Sequence, residues 1–491
     1  MKITLIALPW IFSDKEFKDY EGFSQNLGLG YLGAYAEHHG HSVSIIDSFA
    51  DGIDRRTEIE IGGKRCYIFG LTAEETTQRI PVDSDFIGIS CPFNSQAFMV
   101  DIFAAEIKKR FPNVPILLGG PYAISSPKEA ALKPNIDIVI IGEGEIPLID
   151  LLSGKNPSDI QGIIFRNNNN EVIDNGLAPV VANMDDLPFP ARHLLPMDKY
   201  FKRSQRGLSK AKAISITTSR GCPFACEFCA LHNLENDYAK RFRARSPENV
   251  MKEVDQLIEE YGDIILEFED DNILILKDRA KKLFSLLSER NVKWAIHSGV
   301  MINLIDEEVL IKFKESGCVQ LNIALESGNK KILKAMNKPV NLDHALEVVQ
   351  LCKRLGINTT AFVLVGYPGE TNETFQETIE FLKRMKSYGL NAIAPFVVNA
   401  HISTPLYEKS MERGYLRNME GDVMNAGTES ICIETESFDE KTVKQWLEMV
   451  WEVDKPNRQF IKKSLHKILG TKAFNSVVHT YRDFKKQFNK V

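Results

Sequence analysis

The chain has 491 residues, 44% apolar and 26% charged, which excludes a disordered or fibrous protein and, at roughly 150 residues per domain, calls for more than one folding unit. Sixty basic against 66 acidic residues give a formal charge of -6, without the positive excess of a general nucleic-acid binder, so a small metabolite or peptide is the expected target. No basic leader with an export-length apolar run precedes "ITLIALPW", and no run of roughly 18 apolar residues occurs elsewhere, so no stable membrane insertion and a cytoplasmic location are expected.

In chain order, "KITLIAL" at 2–8 predicts a strand, 27–40 a helix ending at Gly40, and "SVSIID" at 42–47 a second strand. After a less regular stretch, strands are expected at 85–91, 115–120 and 137–145, with helices at 96–110 and near 126–132. Nearly continuous apolar strands separated by helices predict a parallel, Rossmann-like sheet covered on both faces, with ligands beyond the carboxyl ends of the strands. Those ends carry Asn94, Ser95, Gln96, Gly119, Gly120, Gly142, Glu143 and Gly144. "GLGYLG" at 28–33 matches a dinucleotide fingerprint in letters, but it lies too far from the first strand for the tight turn that gives those glycines their role.

Residues 156–212 hold a hairpin around four asparagines and then the proline-rich "DDLPFPARHLLP", which predicts a connector. A second α/β series follows, with strands at 213–219, 263–268, 292–297, 319–325, 359–365 and 391–398 and helices near 246–261, 277–290, 306–316, 329–335, 342–355 and 371–388. Six βα units fall short of a closed eight-stranded barrel and predict a partial one. The expected fold is therefore α/β. It has a Rossmann-like domain at 1–155, a hairpin and linker at 156–212, a partial (β/α)6 barrel at 213–400 and a mainly helical extension at 401–491, with helices at 438–452 and 457–469.

Of eight cysteines, Cys66, Cys91, Cys318, Cys352 and Cys432 are scattered, whereas Cys222, Cys226 and Cys229 crowd into "GCPFACEFC" directly after a predicted strand. Three thiolates in one loop suit a four-iron cluster with one iron left open; a structural zinc completed by a distant Cys, or by His232, is the alternative reading of the spacing.

The C-x3-C-x2-C loop, with Phe228 before its last cysteine, resembles the cluster motif of the radical S-adenosylmethionine (SAM) superfamily, and its combination with a Rossmann-like domain resembles the cobalamin-binding branch. The resemblance implies a [4Fe-4S] cluster on Cys222, Cys226 and Cys229, SAM on the open iron, and cobalamin on the amino-terminal domain beside Asn94, Ser95, Gln96, Gly119, Gly120, Glu143 and Gly144. It implies that Asp270 and Asp271 of "LEFEDDNI" contact the SAM amino group, that Glu326 of "LNIALESGN" meets the ribose or amino end, and that Gly366, Pro368 and Gly369 of "VGYPGET" lie near adenine. Among Arg241, Arg243 and Arg245 of "RFRARS", Arg245 is the expected partner of the SAM carboxylate. The D-x-H-x-x-G motif that donates an axial His to cobalt in many corrinoid enzymes is absent, since Asp47 precedes Ser and Phe. A domain that had lost cobalamin would share that absence.

The pattern is similar to the class B C-methyltransferases, such as hydroxyethylphosphonate methylase. In these one SAM gives its methyl group to cobalamin, a second generates a radical on an unactivated carbon of a small substrate, and a flavodoxin or ferredoxin supplies electrons. A cobalamin-dependent cyclase or rearrangement enzyme, and a radical oxidoreductase with an empty B12-type domain, carry the same motifs. Substrate determinants are expected at 300–303, at 391–404 and in the extension, with Asn399, His401 and Tyr407 as candidates.

Overall fold

The computed structural model describes residues 1–12, 24–61, 64–167, 169–203, 211–232, 242–417 and 431–455; the helix expected at 457–469 and Arg241 lie outside them. The first half runs β1 (Lys2–Ala7), β2 (Trp10–Phe12), α1 (Leu27–His38), β3 (Ser42–Asp47), α2 (Ser48–Asp51), β4 (Arg56–Ile61), β5 (Lys64–Phe69), α3 (Ala73–Arg79), β6 (Phe86–Ser90), α4 (Ala97–Arg110) and β7 (Ile116–Gly119). It continues through α5 (Pro121–Ser125), α6 (Pro127–Leu132), β8 (Ile138–Ile140), α7 (Glu145–Leu152), β9 (Ile163–Arg166) and β10 (Val172–Asp174). Seven strands form one sheet in the order β10-β9-β8-β7-β6-β1-β3, parallel from β3 to β8 and buried on both faces by separate apolar clusters.

Three features depart from expectation. The asparagine hairpin is part of this sheet, because β9 pairs antiparallel with β8; the connector begins only after it. The stretch without clear periodicity holds β4 and β5, which join the three-residue β2 in a small antiparallel sheet of order β2-β5-β4; β4 carries charge at alternate positions. Finally, β8 stops at Ile140 and α7 begins at Glu145; Pro147 lies in its first turn, where no intrahelical N–H is needed, so it does not break the helix.

The second half runs α8 (Met197–Arg203), β11 (Lys212–Ile216), β12 (Ser219–Arg220), β13 (Arg243–Ala244), α9 (Pro247–Tyr261), β14 (Ile264–Phe268), α10 (Lys277–Ser288), β15 (Lys293–Val300), α11 (Glu307–Glu315) and β16 (Cys318–Glu326). It ends with α12 (Lys330–Ala335), α13 (Leu342–Leu355), β17 (Asn358–Val365), α14 (Asn372–Tyr388), β18 (Ala392–Val397), α15 (Pro405–Glu412) and α16 (Glu440–Asp454). Strands β11-β14-β15-β16-β17-β18 form one parallel six-stranded sheet, the expected partial barrel. Each expected barrel helix is present, and in α9 the caps agree with its apolar stripe: it starts with the Ser246 hydroxyl accepting from Asn249 N, has Pro247 at its first position, and stops at Gly262 with φ +77°.

The described part of the extension that forms α16 is not separate from the barrel. Trp446 of α16 stacks on Phe375 of α14 with ring centroids 4.7 Å apart, and donates to Asn372 at 3.0 Å. Asp454 accepts from Ile393 N at 3.0 Å. Phe438, Val443, Trp446 and Val450 share the barrel's core, so α16 covers the β18 side of the barrel with aromatic packing.

The two α/β units are joined by buried polar contacts. The Gln25 side chain donates to Ala213 O at 2.9 Å and accepts from Ser215 N at 2.8 Å, copying a strand pairing along the exposed edge of β11. Glu253 of α9, 1% exposed, pairs with Arg192 of the linker at 2.7 Å and with Arg245. Burial alone would push the Glu253 carboxyl up, but the two guanidiniums hold it below the ordinary carboxylate range.

Candidate functional site

The cysteine loop runs from the end of β12 and is tied down by the carboxyl ends of three barrel strands. After β14, Asp271 Oδ2 accepts from Gly221 N at 2.9 Å. After β16, Lys338 Nζ bonds Glu326 Oε1 at 3.0 Å and lies 5.9 Å over the Phe228 ring. After β17, the Tyr367 hydroxyl meets Glu227 at 3.3 Å and donates to Ala335 O at 3.0 Å. Asn337 donates to Ala225 O at 2.6 Å and Glu227 N to Met336 O at 3.0 Å, so the loop backbone is bonded to 335–338 as well.

Cys226 is buried, and Cys222 and Cys229 are half-buried. Burial pushes all three thiols up, Cys229 to about 11. A bound metal displaces the protons of desolvated thiols into solvent, because it replaces the solvation that a lone thiolate would lose. Among the described residues no three His, Cys, Asp or Glu side chains converge on a point that one ion could hold; a four-iron cube instead takes one cysteine at each of three corners. The donor set fits a cluster. The side chain of His232 is outside the described set.

The two carboxylates carried over from the acidic strand tip differ in their surroundings. Asp270 is 1% exposed and accepts from Thr218 N at 3.1 Å, Thr218 Oγ1 at 2.7 Å and Ser219 Oγ, so it anchors the turn leading to the cysteines. In Asp271 the bond to Gly221 engages Oδ2 alone. Burial raises both carboxyls. Glu326 stands at φ +66°, an uncommon conformation for a residue with a side chain, beside a register shift at the end of β16. Such strain, of the order of 1–3 kcal/mol, marks a position held by its surroundings, here by Lys338. Gly366 and Gly369 have φ +89° and +98°, and Pro368 lies half-buried between them. The Arg245 guanidinium is engaged by Glu253, by Asn249 at 2.7 Å and by Thr217 O at 3.0 Å, and it is 2% exposed. It serves the domain interface.

Glu370 follows in the same turn, fully buried. Its Oε2 accepts from Gly366 N at 2.8 Å and Tyr367 N at 3.0 Å, while Oε1 is buried without a partner among the described residues. Burial raises this carboxyl to about 7. A folded-state value above the unfolded one, near 4.3, means stability that is complete below the unfolded value and is lost as pH rises through about 7. The thermal midpoint of the cofactor-free chain should therefore fall by several degrees between about pH 5 and 7.5, and Glu370→Gln should flatten that part of the profile. An identical slope in the variant would assign the effect to other groups.

Over the strand tips of the amino-terminal sheet lies a cavity of about 600 Å³, within the usual size of a cofactor site. Gly119, Gly120, Glu143 and Gly144 are among its lining residues. Gly120 has φ +92°, and a Cβ there would fall 2.8 Å from Cys91 O, so only glycine fits. A Cβ on Gly119 would meet nothing within 4 Å. Asn94, Ser95 and Gln96 are not in the lining: Asn94 bonds Ser125 at 2.7 Å and Ser126 at 2.8 Å, while Ser95 and Gln96 are buried in a short 3-10 turn. Phe93 takes their place on the wall, edge-on to Trp10 at 6.2 Å.

Sequence reasoning also missed Asp47 and Tyr200, both in the lining, the buried tyrosine donating to the buried carboxylate; a tyrosine contributed by the linker leaves no local signal. No histidine is among the lining residues. Of the glycines of "GLGYLG", Gly30 and Gly33 pack against Pro190 and Leu194, which is a helix-packing role rather than a phosphate-binding one. Thr217 and Arg220 of the barrel complete the cavity wall, so its boundary reaches the base of the cysteine loop.

Comparison with known proteins agrees with this geometry. Residues 216–382 match the model of the radical SAM superfamily and residues 18–152 that of the B12 binding domain. The chain is 30% identical over 396 residues to an uncharacterised methyltransferase of Pyrococcus horikoshii, covering 78% of each chain. It is 28% identical over 422 residues to the cytidylyl-2-hydroxyethylphosphonate methyltransferase of Streptomyces wedmorensis, covering 79% of this chain and 78% of that one. Its fold is similar to that of the radical SAM methyltransferase TsrM from Kitasatospora setae, solved with cobalamin and a [4Fe-4S] cluster. There the TM-score is 0.67 at 15% identity, over 93% of this chain and 91% of that one. Similarity extends to the cobalamin-dependent SAM radical enzyme OxsB, with a TM-score of 0.70 at 17% identity over 99% of this chain and 71% of that one.

Proposed function

This chain belongs to the cobalamin-binding radical SAM family, and from that premise we propose that it transfers a methyl group from SAM to an unactivated carbon of a small metabolite or natural-product precursor. The observation that carries the reading is the shared wall: Thr217 and Arg220, at the base of the cysteine loop, also close the cavity over the amino-terminal sheet. A substrate between the two sites could meet both cofactors, and such chemistry depends on holding reacting atoms near 3–3.5 Å. The names of the two full-length relatives support methyl transfer.

When bound, the cluster and cobalamin supply the electron and the methyl carrier, and the protein supplies placement. Cys222, Cys226 and Cys229 are the proposed cluster ligands. Asp271 is the proposed acceptor for the SAM ammonium, with Asp270 holding the loop that positions it. Lys338, beside both Glu326 and Phe228, replaces Arg245 in our assignment as the cation near the SAM carboxylate. Gly366 to Gly369 remain the proposed nucleoside wall, and Gly119, Gly120 and Gly144 the proposed corrin border. A one-electron donor such as flavodoxin or ferredoxin and a cytoplasmic setting complete the reading, and the three crowded cysteines suit a reducing compartment. No described helix is long and apolar enough to cross a membrane.

Asp271→Asn should weaken SAM binding to the cluster-loaded protein by about tenfold and cobalamin binding by less than about twofold, since a charge-assisted contact is lost at one site only. Equal losses for both ligands would remove Asp271 from the SAM site. Because no His is among the described residues that line the cavity, cob(II)alamin bound to the protein should show no histidine-nitrogen splitting in its electron paramagnetic resonance spectrum.

The function itself is tested with isotopically labelled SAM and candidate small substrates. Labelled methyl should appear in product together with 5'-deoxyadenosine, and only when cobalamin is supplied. Undiminished turnover without cobalamin would reject the proposal, and cobalamin-dependent turnover without labelled methyl in product would favour a cyclase or rearrangement enzyme.

A further inference from the structure

The tip of β8 and the last residue before the cysteine loop are joined by an ion-pair clamp that none of the proposed ligand contacts requires. Arg220, two residues before Cys222, pairs with Glu143 at 2.9 Å and with Glu145 at 2.8 Å. Its guanidinium also lies 5.0 Å over the ring of Tyr31 from α1. Arg243, opposite Arg220 in the β12–β13 pair, ion-pairs Glu143 as well and donates to Val181 O at 2.6 Å. Two arginines balance two glutamates, so the cluster is neutral and has no net charge to offer a ligand. All four side chains are at least four-fifths buried, where ion pairs fix geometry more than they add stability.

Its position gives that geometry a consequence. Tyr31, Glu143, Glu145 and Arg220 all line the cavity over the amino-terminal sheet. On its other side Arg220 is followed by Gly221, whose N–H is held by Asp271, and then by Cys222. One rigid path of bonds thus runs from the cavity wall through Glu145 and Arg220 to the peptide held by Asp271, the proposed acceptor for the SAM ammonium. A molecule that fills the cavity and shifts the β8 tip shifts that peptide with it, so the two ligands select the same placement of the loop.

We propose that this clamp makes cobalamin and SAM bind cooperatively, with Arg220 as the positioning residue that couples the two sites. The inference rests on the cofactor placement proposed above, and the test separates the two. SAM dissociation constants are measured by equilibrium dialysis on the full-length, cluster-loaded chain with and without saturating hydroxocobalamin, and cobalamin dissociation constants with and without SAM.

In the wild type each ligand should tighten the other by the same factor, at least about fivefold, because coupling is reciprocal. In Arg220→Gln and, independently, Glu145→Gln, cobalamin alone should bind more weakly, because both residues line its proposed cavity, and iron content should persist, while the coupling factor falls below about twofold. Arg220→Lys, which keeps the charge but not the two-pronged geometry, should recover only part of it. A merely structural clamp would change the separate affinities without changing their ratio. A wild-type factor of one, or an unchanged factor in a folded Gln variant, overturns the coupling. Failure of the wild type to bind cobalamin at all would instead overturn the cofactor placement.

Discussion

Replacing Cys226 by Ala is expected to lower bound iron from about four per chain to less than about one and to reduce reductive SAM cleavage by at least about a thousandfold, while cobalamin binding stays within about twofold. Cys226 is the buried member of the three and the first residue of a turn in which Cys229 N donates to Cys226 O at 3.1 Å, so Ala preserves the loop's shape and removes only a donor. With two thiolates left, a four-iron cube loses a corner, and the open iron on which SAM chelation depends goes with it. The cavity over the amino-terminal sheet touches the loop only at its base, through Thr217 and Arg220, which is why the two losses should separate. Iron and sulfide analysis, deoxyadenosine quantification and a cobalamin titration on the same preparation check all three. Retained iron with normal SAM cleavage would remove Cys226 from the ligand set.

Gly119→Phe should produce a chain that folds with wild-type thermal stability and binds cobalamin at least about a hundredfold more weakly, a loss of about 2.7 kcal/mol. Gly119 ends β7, borders the cavity, and a Cβ built on it would meet no atom within 4 Å. A phenyl group there enters open space rather than packed protein, so the fold is spared while the cavity is filled. Gly120→Phe is the contrasting variant: its φ of +92° and the 2.8 Å separation between Cys91 O and any Cβ added there place the strain in the backbone itself, and it should lose stability as well as cobalamin. Unchanged cobalamin affinity in folded Gly119→Phe would show that the corrin does not lie on this strand tip.

The sequence by itself determined the two α/β series, nearly every barrel element and the three-cysteine loop. Strand runs such as "SVSIID" and helices such as Leu342–Leu355 are set by periodicity, caps and glycine stops, which are local, and the spacing of Cys222, Cys226 and Cys229 is contained within one loop. The carboxyl ends of β7 and β8 likewise announced Gly119, Gly120 and Gly144, because a glycine at such a tip needs only its own strand to be read.

The tertiary structure decided which charged residues hold the protein together and which are left for a ligand. Arg245 looks from its tripeptide context like an anion binder, yet Glu253 claims it from the next helix and Arg192 shares the pair from 53 residues upstream. Asp270 and Asp271 are adjacent carboxylates in the chain, but only the first is enclosed by Thr218 and Ser219. Lys338 acquires its place from the return of the chain after α12, Tyr200 from the linker crossing the cavity, and Trp446 from an extension that packs into the barrel. The physical reason is common to all of these: a buried charge or aromatic ring is assigned by the partners that desolvation forces on it, and those partners lie far away along the chain, where neither periodicity nor spacing carries any trace of them.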